Sequence, residues 1–143
     1  MKLTIVRGLP GSGADALAGR LAEKSECLLI GADMFFEDIE VNYKLIKASC
    51  QYAFGQTFYE MIRGGDVVVY GTFDQRWMLG DYITSAEALG AEWDIVEPST
   101  KHKYDPVVCA EKSGSTVAYL QKIKDKWEST KDIIKFFRKN QSE

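Results

Sequence analysis

The stretch LTIVRGLPGSGAD, residues 3–15, is the most informative part of this chain. Its apolar run, LTIVR, predicts a buried strand, and the leucines spaced along residues 14–24 predict a helix. Between them lie Gly8, Gly11 and Gly13, which allow backbone N–H groups to turn inward toward an anion. A strand, a glycine-rich loop and a helix in this order are typical of a phosphate-binding loop.

Strands and helices alternate through the rest of the chain. We predict further strands over residues 27–30, 66–70 and 92–96. We predict further helices over residues 42–63, 77–89 and 117–139, the last one basic, amphipathic and broken near Ser129. This alternation indicates an α/β fold: one domain, residues 1–143, whose mostly parallel sheet carries helices on both faces.

The composition is that of an ordinary soluble protein, with 45% hydrophobic and 27% charged residues. No apolar run reaches the roughly 20 residues of a membrane span, and Arg7 interrupts the start of any signal peptide, so we expect no membrane association and a cytoplasmic protein. The three cysteines lack metal-site spacing and are expected to be buried thiols. His102, between two lysines, is expected in a solvated loop.

Charge is divided unevenly along the chain. Residues 1–116 carry 11 basic and 17 acidic side chains, a net of −6, whereas residues 117–143 carry 7 basic and 4 acidic ones, a net of +3. A nucleic-acid-binding domain concentrates positive charge on its binding face. Binding to nucleic acid is therefore not expected, and a protein of unknown identity is the expected partner.

The phosphate-binding loop departs from the complete motif GxxxxGK[ST]. Its remnant comprises Gly8, Pro10, Gly11, Ser12, Gly13, Ala14 and Asp15. Ala14 stands where the lysine reaches the phosphates, and Asp15 stands where a hydroxyl holds Mg²⁺. Two alternatives stay open: Asp15 could bind Mg²⁺ directly, or the segment could be a strand-to-helix turn with Asp15 favourable in the first helical turn.

Four segments together resemble the phage-type polynucleotide kinase-like P-loop kinases, including their AAA-annotated single-domain relatives. They are LTIVRGLPGSG, GADMFFED, GGDVVVYGTFDQRWMLGDY and ALGAEWDIVEP, and the resemblance covers about residues 2–128. It implies that the chain forms a single P-loop kinase-like domain with a doubly wound α/β fold. It also implies that active members of the family use ATP and Mg²⁺. It also implies that Asp33 matches the general base that activates the acceptor hydroxyl.

Other departures from this family affect the same machinery. Phe73 replaces the asparagine usual after the third strand, Phe36 stands where some members carry an arginine for the acceptor phosphate, and Arg76 is out of register for a lid arginine. The sequence therefore predicts a catalytically inactive homologue, with no metal or cofactor and Asp33 as a vestigial base. The alternatives are an ATP-dependent kinase acting on a nucleic-acid 5′-hydroxyl or a small nucleotide, and a non-hydrolysing nucleotide or phosphate sensor.

An inactive homologue would act through protein binding, and its expected role is that of a phage or bacterial regulator or inhibitor. The candidate partner surface comprises Phe36, Glu37, Asp38, Phe73 and Arg76, around the mouth of the old active site. The neighbouring Trp77 is expected in the core. The basic terminal helix, with Lys122, Lys126 and Lys135, is the rival surface.

Overall fold

A computed structural model describes residues 1–36 and 43–141 of the chain. Four parallel strands form one sheet in the order β2-β3-β1-β4. The strands are β1 (Lys2–Arg7), β2 (Leu28–Gly31), β3 (Val67–Gly71) and β4 (Glu92–Val96). The central strand β1 pairs through Ile5 with Val69 on one side and with Ile95 on the other. Parallel strands require crossover connections, which here contain the helices.

Six α-helices and three short 3₁₀ turns are found among the described residues. The α-helices are α1 (Ala14–Ser25), α2 (Ile46–Ile62), α3 (Gly80–Ala88), α4 (Pro106–Ser113), α5 (Val117–Asp125) and α6 (Thr130–Gln141). The 3₁₀ turns cover Ala32–Phe36, Tyr43–Leu45 and Arg76–Met78.

Helices cover both faces of the sheet. On one face, α1 packs Ala14, Ala18 and Ala22 against Val6 and Val68. On the other face, helices α2, α3 and α6 pack over alternate residues of the same strands, in a core that includes Leu3, Ile5, Met61, Val67, Val69, Ile83, Trp93 and Ile133. The predicted α/β fold with a parallel sheet and helices on both faces is therefore confirmed.

Several predicted boundaries need correction. The helix predicted over residues 77–89 is a 3₁₀ turn followed by α3. The terminal segment 117–139 forms two helices, α5 and α6, which are separated at the predicted break near Ser129. Helix α4 was not predicted, although Asp105 caps it by accepting hydrogen bonds from two backbone N–H groups and Pro106 occupies its first turn. Within the described ranges, no helix is long and apolar enough to cross a membrane.

Candidate functional site

The glycine-rich loop between β1 and α1 contains two residues in the left-handed backbone conformation. Gly11 and Gly13 have φ values of 84° and 99°, in the left-handed region that glycine enters without strain. The Ser12 N–H donates to the Leu9 carbonyl over 3.0 Å and closes the turn. Successive N–H groups in such a turn form an anion-binding concavity.

The first turn of α1 presents a methyl group and a carboxylate to this loop. The Ala14 side chain is buried where α1 packs on Val6, and the Asp15 side chain is exposed. The Asp15 Oδ1 atom accepts a hydrogen bond of 2.9 Å from the backbone N–H of Ala16. A negative charge thus already lies at the positive end of the helix dipole, where a bound phosphate would lie.

Helices α4 and α5 pack directly on the loop. Leu9, the second residue of the loop, is buried in an apolar cluster with Cys109, Leu120 and Ile123. The backbone of α4 also lies against Gly11, because a Cβ atom added there would overlap the carbonyl oxygen of Cys109 and lie 3.0 Å from its carbonyl carbon. Helices α4 and α5 are therefore held against the loop by an apolar contact.

The connection after β4, residues 97–105, closes the other side of the loop. The Thr100 hydroxyl donates to the Ser12 carbonyl over 2.7 Å, and the His102 Nε2 atom lies 3.2 Å from the Gly11 carbonyl oxygen. His102 was expected in a solvated loop, but it is half-buried and its ring lies within hydrogen-bond distance of the loop backbone. Both contacts engage carbonyl groups of the loop rather than its N–H groups.

Beside Leu9 there is a cavity of about 400 Å³. Tyr104, Lys124 and Trp127 form the rest of its wall. The wall is mostly apolar and aromatic, with the Lys124 ammonium as its charged group. Such a wall suits an apolar or small acidic group better than a chain of phosphates.

A fully buried arginine connects β1 to the segment between α5 and α6. The Arg7 Nε atom donates to the Phe73 carbonyl over 2.9 Å, and Nη1 donates to the Glu128 carbonyl over 2.7 Å and to the Thr130 hydroxyl over 3.0 Å. Its guanidinium stacks 3.9 Å from the centre of the Trp127 ring. Burial lowers the pKa of Arg7. We call residues 127–130 the crossing segment, because they pass over the carboxyl ends of the central strands.

Glu97, at the end of β4, completes this network. Its Oε2 atom accepts 2.6 Å from the Thr130 hydroxyl, and its Oε1 atom accepts a short hydrogen bond from the Tyr104 hydroxyl. Burial, followed by the bond to Glu97, raises the pKa of Tyr104 to about 12. The negative charge of Glu97 in turn opposes the effect of burial on Arg7. The carboxyl ends of β1 and β4 are thus tied together through charged and hydroxyl groups.

Asp33, the predicted vestigial base, is exposed at the carboxyl end of β2. Its Oδ1 atom accepts 2.6 Å from the Tyr70 hydroxyl, and the Tyr70 ring lies over Gly31, leaving no room for a Cβ atom there. Strand β3 separates β2 from β1, so two strand spacings, about 10 Å, separate Asp33 from the loop strand. Asp33 thus lies at the same carboxyl edge of the sheet as the loop, but its carboxylate is hydrogen-bonded to the Tyr70 hydroxyl.

Phe73 has an unusual backbone conformation. Its φ is 44°, in the left-handed region, which is strained for a bulky side chain but tolerated by asparagine. Its ring folds back over Gly71 and packs edge-on against Tyr82, with 5.6 Å between the ring centres. Phe73 is therefore half-buried and packed against the core, which reduces its value as a partner-binding residue.

The other residues of the predicted partner surface have different outcomes. Phe36 is half-buried and packs edge-on against Phe35, with 5.1 Å between the ring centres. Arg76 is exposed. Glu37 and Asp38 lie outside the described residues.

Among residues 1–36 and 43–141, no group of three or more His, Cys, Asp or Glu side chains is placed to hold a metal ion.

Two further expectations were wrong. Trp77 is 71% exposed rather than part of the core, because it lies in a 3₁₀ turn that precedes α3 and not on the buried face of that helix. Cys50 is exposed and Cys27 is only half-buried, so Cys109 alone among the three cysteines is fully buried. The contact between Leu9 and α5 was missed, since a single leucine in a glycine-rich loop gives no periodic signal.

Comparison with solved structures identifies the fold. A gluconokinase from Sinorhizobium meliloti 1021 superposes with a TM-score of 0.63 at 16% identity, covering 90% of this chain and 75% of the gluconokinase. A protein from Chloroflexus aurantiacus whose kinase activity is inferred gives a TM-score of 0.66 at 12% identity, covering 88% and 79%. The fold is that of the P-loop kinases.

Pnkp1, in the Pnkp1/Rnl/Hen1 RNA repair complex, is similar in the same way. It superposes with a TM-score of 0.61 at 16% identity over 89% of this chain, which spans only 46% of the Pnkp1 chain. No protein-family model and no curated protein sequence matches this chain. At these identities the similarity shows the fold and leaves the activity to be argued from the site.

Proposed function

We propose that this protein is a P-loop kinase homologue without catalytic activity, which acts by binding another protein. The observation that carries this proposal is the packing of α4 and α5 on the glycine-rich loop, through the buried cluster of Leu9 with Cys109 and Leu120. A kinase must open and close around its substrates. We propose that this apolar contact keeps α4 and α5 closed on the loop.

The charges at the loop support the same proposal. A pair of unit charges at about 4 Å is worth roughly 4 kcal/mol at an effective dielectric constant of about 20. Ala14 removes one such attraction to a phosphate, and Asp15 adds a repulsion beside it. Since each 1.36 kcal/mol changes a rate tenfold, these residues do not fit a magnesium-bound nucleoside triphosphate as a substrate.

Turnover assays test the loss of catalysis. The purified chain should neither hydrolyse ATP nor transfer its terminal phosphate to the 5′-hydroxyl of an oligonucleotide, with or without Mg²⁺. Asp33→Asn distinguishes true activity from a contaminant. Turnover above the buffer blank that disappears in Asp33→Asn would establish the kinase alternative.

A repair variant tests whether the loop is the reason. The double substitution Ala14→Lys with Asp15→Ser changes the net charge by +2 and should restore ATP binding measurable by calorimetry. The control Ala118→Lys with Asp125→Ser makes the same charge change on the exposed surface of α5 and should bind no better than the original chain. Equal binding by the two double variants would mean that the loop is not a phosphate site.

A phosphate sensor is the second candidate function. It is favoured by the left-handed conformations of Gly11 and Gly13, which keep the anion-binding form of the loop. In this case inorganic phosphate should bind weakly, and Asp15→Asn should strengthen binding by removing the carboxylate from the helix terminus. Absence of phosphate binding in both the original chain and Asp15→Asn would remove this candidate.

A further inference from the structure

The start of α1 offers backbone N–H groups that no protein group uses. Within the described part of the chain, no atom accepts a hydrogen bond from the N–H groups of Gly13, Ala14 or Asp15. The Thr100 hydroxyl donates to the Ser12 carbonyl over 2.7 Å. Because a trans peptide points its C=O and its N–H in opposite directions, this bond turns the Gly13 N–H away from Thr100. Thr100 therefore fixes the direction in which the loop donates.

A buried hydroxyl inside the same loop is also without a partner. The Ser12 side chain has no exposed surface, and its Oγ atom makes no hydrogen bond with any described residue. A Cβ atom built on Gly8 would meet this Oγ atom and lie 3.0 Å from the Ala14 Cβ atom. The hydroxyl thus lies inside the loop, between its first residue and the start of α1. A buried polar group without a partner indicates an ion or ligand that completes its hydrogen bonding.

A carboxylate lies beside these donors. Asp15 is exposed, and its Oδ1 atom accepts from the Ala16 N–H over 2.9 Å. Its Oδ2 atom has no partner among the described residues. An ionised carboxylate accepts hydrogen bonds and donates none. An anion bound at this helix terminus is therefore repelled by Asp15 unless it carries an O–H group that donates to the carboxylate.

We propose that the glycine-rich loop binds inorganic phosphate, and that Asp15 selects this anion through its O–H group. The N–H groups at the start of α1 and the Ser12 hydroxyl donate to the unprotonated oxygens, and the protonated oxygen donates to Asp15. This inference rests on the phosphate-sensor function proposed above and names its ligand and the residue that confers specificity. Sulfate has the same shape but carries no proton, so it offers no donor to Asp15.

The same chemistry disfavours a phosphate group on a nucleotide or on a phosphorylated protein. A phosphomonoester has a second pKa of about 6, so at pH 8 it is almost entirely a dianion without an O–H group. Free phosphate still carries one proton at that pH. Because Ala14 supplies no cation to offset the repulsion by Asp15, the ester dianion should bind as weakly as sulfate.

Calorimetry on the full chain at pH 8 tests the proposal with sodium phosphate, sodium sulfate and methyl phosphate at constant ionic strength. Phosphate should bind at least about tenfold more tightly than the other two, which is the difference expected for one charge-assisted hydrogen bond. In Asp15→Asn the ratio of phosphate to sulfate affinity should fall to nearly one, because the amide is uncharged and can donate to sulfate.

Asp81→Asn is the matched control. Asp81 is also an exposed carboxylate in the first turn of a helix, α3, but a 3₁₀ turn and not a glycine-rich loop precedes that helix. Its substitution makes the same charge change and should leave the preference for phosphate as it is in the original chain.

Ser12→Ala tests the buried hydroxyl separately. It should weaken phosphate binding about two- to tenfold, the loss expected for one hydrogen bond. The urea midpoint should not fall, because a hydroxyl without a partner contributes no hydrogen bond to the fold. A lower midpoint with unchanged phosphate affinity would show that the hydroxyl is structural.

The outcomes separate this inference from the sensor function on which it rests. Equal affinity for phosphate and sulfate in the original chain would overturn the selectivity and leave an anion sensor in place. A preference for phosphate that persists in Asp15→Asn, or that Asp81→Asn reduces equally, would show that Asp15 does not confer it. Methyl phosphate bound as tightly as phosphate would replace free phosphate with a phosphomonoester.

Two results concern the loss of binding. Anion binding that appears only in Asp15→Asn would show that the carboxylate excludes anions altogether, which overturns the inference. Absence of binding in both the original chain and Asp15→Asn would remove the phosphate sensor together with this inference. Neither result depends on ATP turnover, so the absence of catalysis is judged separately.

Discussion

Replacing Gly11 with alanine tests whether α4 packs tightly against the glycine-rich loop. Gly11 has a φ of 84°, and an alanine there pays about 1–2 kcal/mol for the left-handed conformation alone. The added Cβ atom would also overlap the Cys109 carbonyl oxygen and lie 3.0 Å from the carbonyl carbon. Ordinary carbon–carbon contacts are about 3.5–4.0 Å, so α4 must move by at least about half an ångström.

Gly64→Ala provides the control for the backbone conformation. Gly64 has a φ of 83°, almost equal to that of Gly11, but a Cβ atom there meets nothing within 4 Å. The control should lose about 1–2 kcal/mol of unfolding free energy. Overpacking in a close-packed interior adds about 1–3 kcal/mol, so Gly11→Ala should lose about 2–5 kcal/mol in total.

Urea denaturation of the two variants measures the difference. We expect the midpoint of Gly11→Ala to fall below that of Gly64→Ala, and its melting temperature to be lower by about 3 °C for each additional kcal/mol. Hydrogen exchange should accelerate in α4 of Gly11→Ala and stay unchanged in α4 of the control. If the two variants lose the same unfolding free energy, α4 does not press on the loop and the main support for an inactive enzyme is removed.

Three further predictions concern the strained turn and the buried network. Phe73→Asn should be more stable in urea than Phe73→Ala by about 1 kcal/mol, because both lose the ring but asparagine tolerates the left-handed conformation; equal stabilities would show that the turn is unstrained. Because the pKa of Tyr104 is raised from 10.0 to about 12 in the folded state, folding stability should decrease between these pH values, and less steeply in Tyr104→Phe; equal slopes would contradict this. Thr130→Val should cost about 1–3 kcal/mol by leaving Arg7 and Glu97 without the shared hydroxyl, whereas Thr130→Ser should retain most stability; equal losses would show that the methyl group, not the hydroxyl, is what matters.

The sequence predicts the sheet well because its strands are short apolar runs between glycine-rich or polar turns. The apolar run VVVY at residues 67–70 predicts a strand that is covered on both faces, and it forms β3, one of the two inner strands of the sheet. The conformation of the loop is predicted for a similar reason, since Gly11 and Gly13 supply the left-handed positions it needs. Local sequence decides these features, and they can be inferred without tertiary structure.

The contacts that close the site are not predictable in this way. Leu9 meets Leu120 only after the chain has crossed the sheet and returned, and a lone apolar residue in a loop carries no periodicity. Trp77 was misassigned because its spacing fits the helix that follows, whereas the structure interrupts that helix with a 3₁₀ turn. Helix α4 had a readable start signal in Asp105 and Pro106, but its eight residues are too few to show a clear apolar stripe.

The hydrogen bonds of Arg7 also determine the stage of synthesis at which the fold can be completed. The arginine and its acceptor Glu128 are 121 residues apart in sequence, and translation at about 5–20 residues per second separates their synthesis by roughly 6–24 seconds. During that interval the Arg7 guanidinium, which is buried in the complete protein, lacks its hydrogen-bond acceptor on Glu128. Contacts of such long range are formed late and slow folding. A ribosome-bound chain halted before residue 127 should therefore leave β1 open to proteases and chaperones, even with all four strands already synthesised.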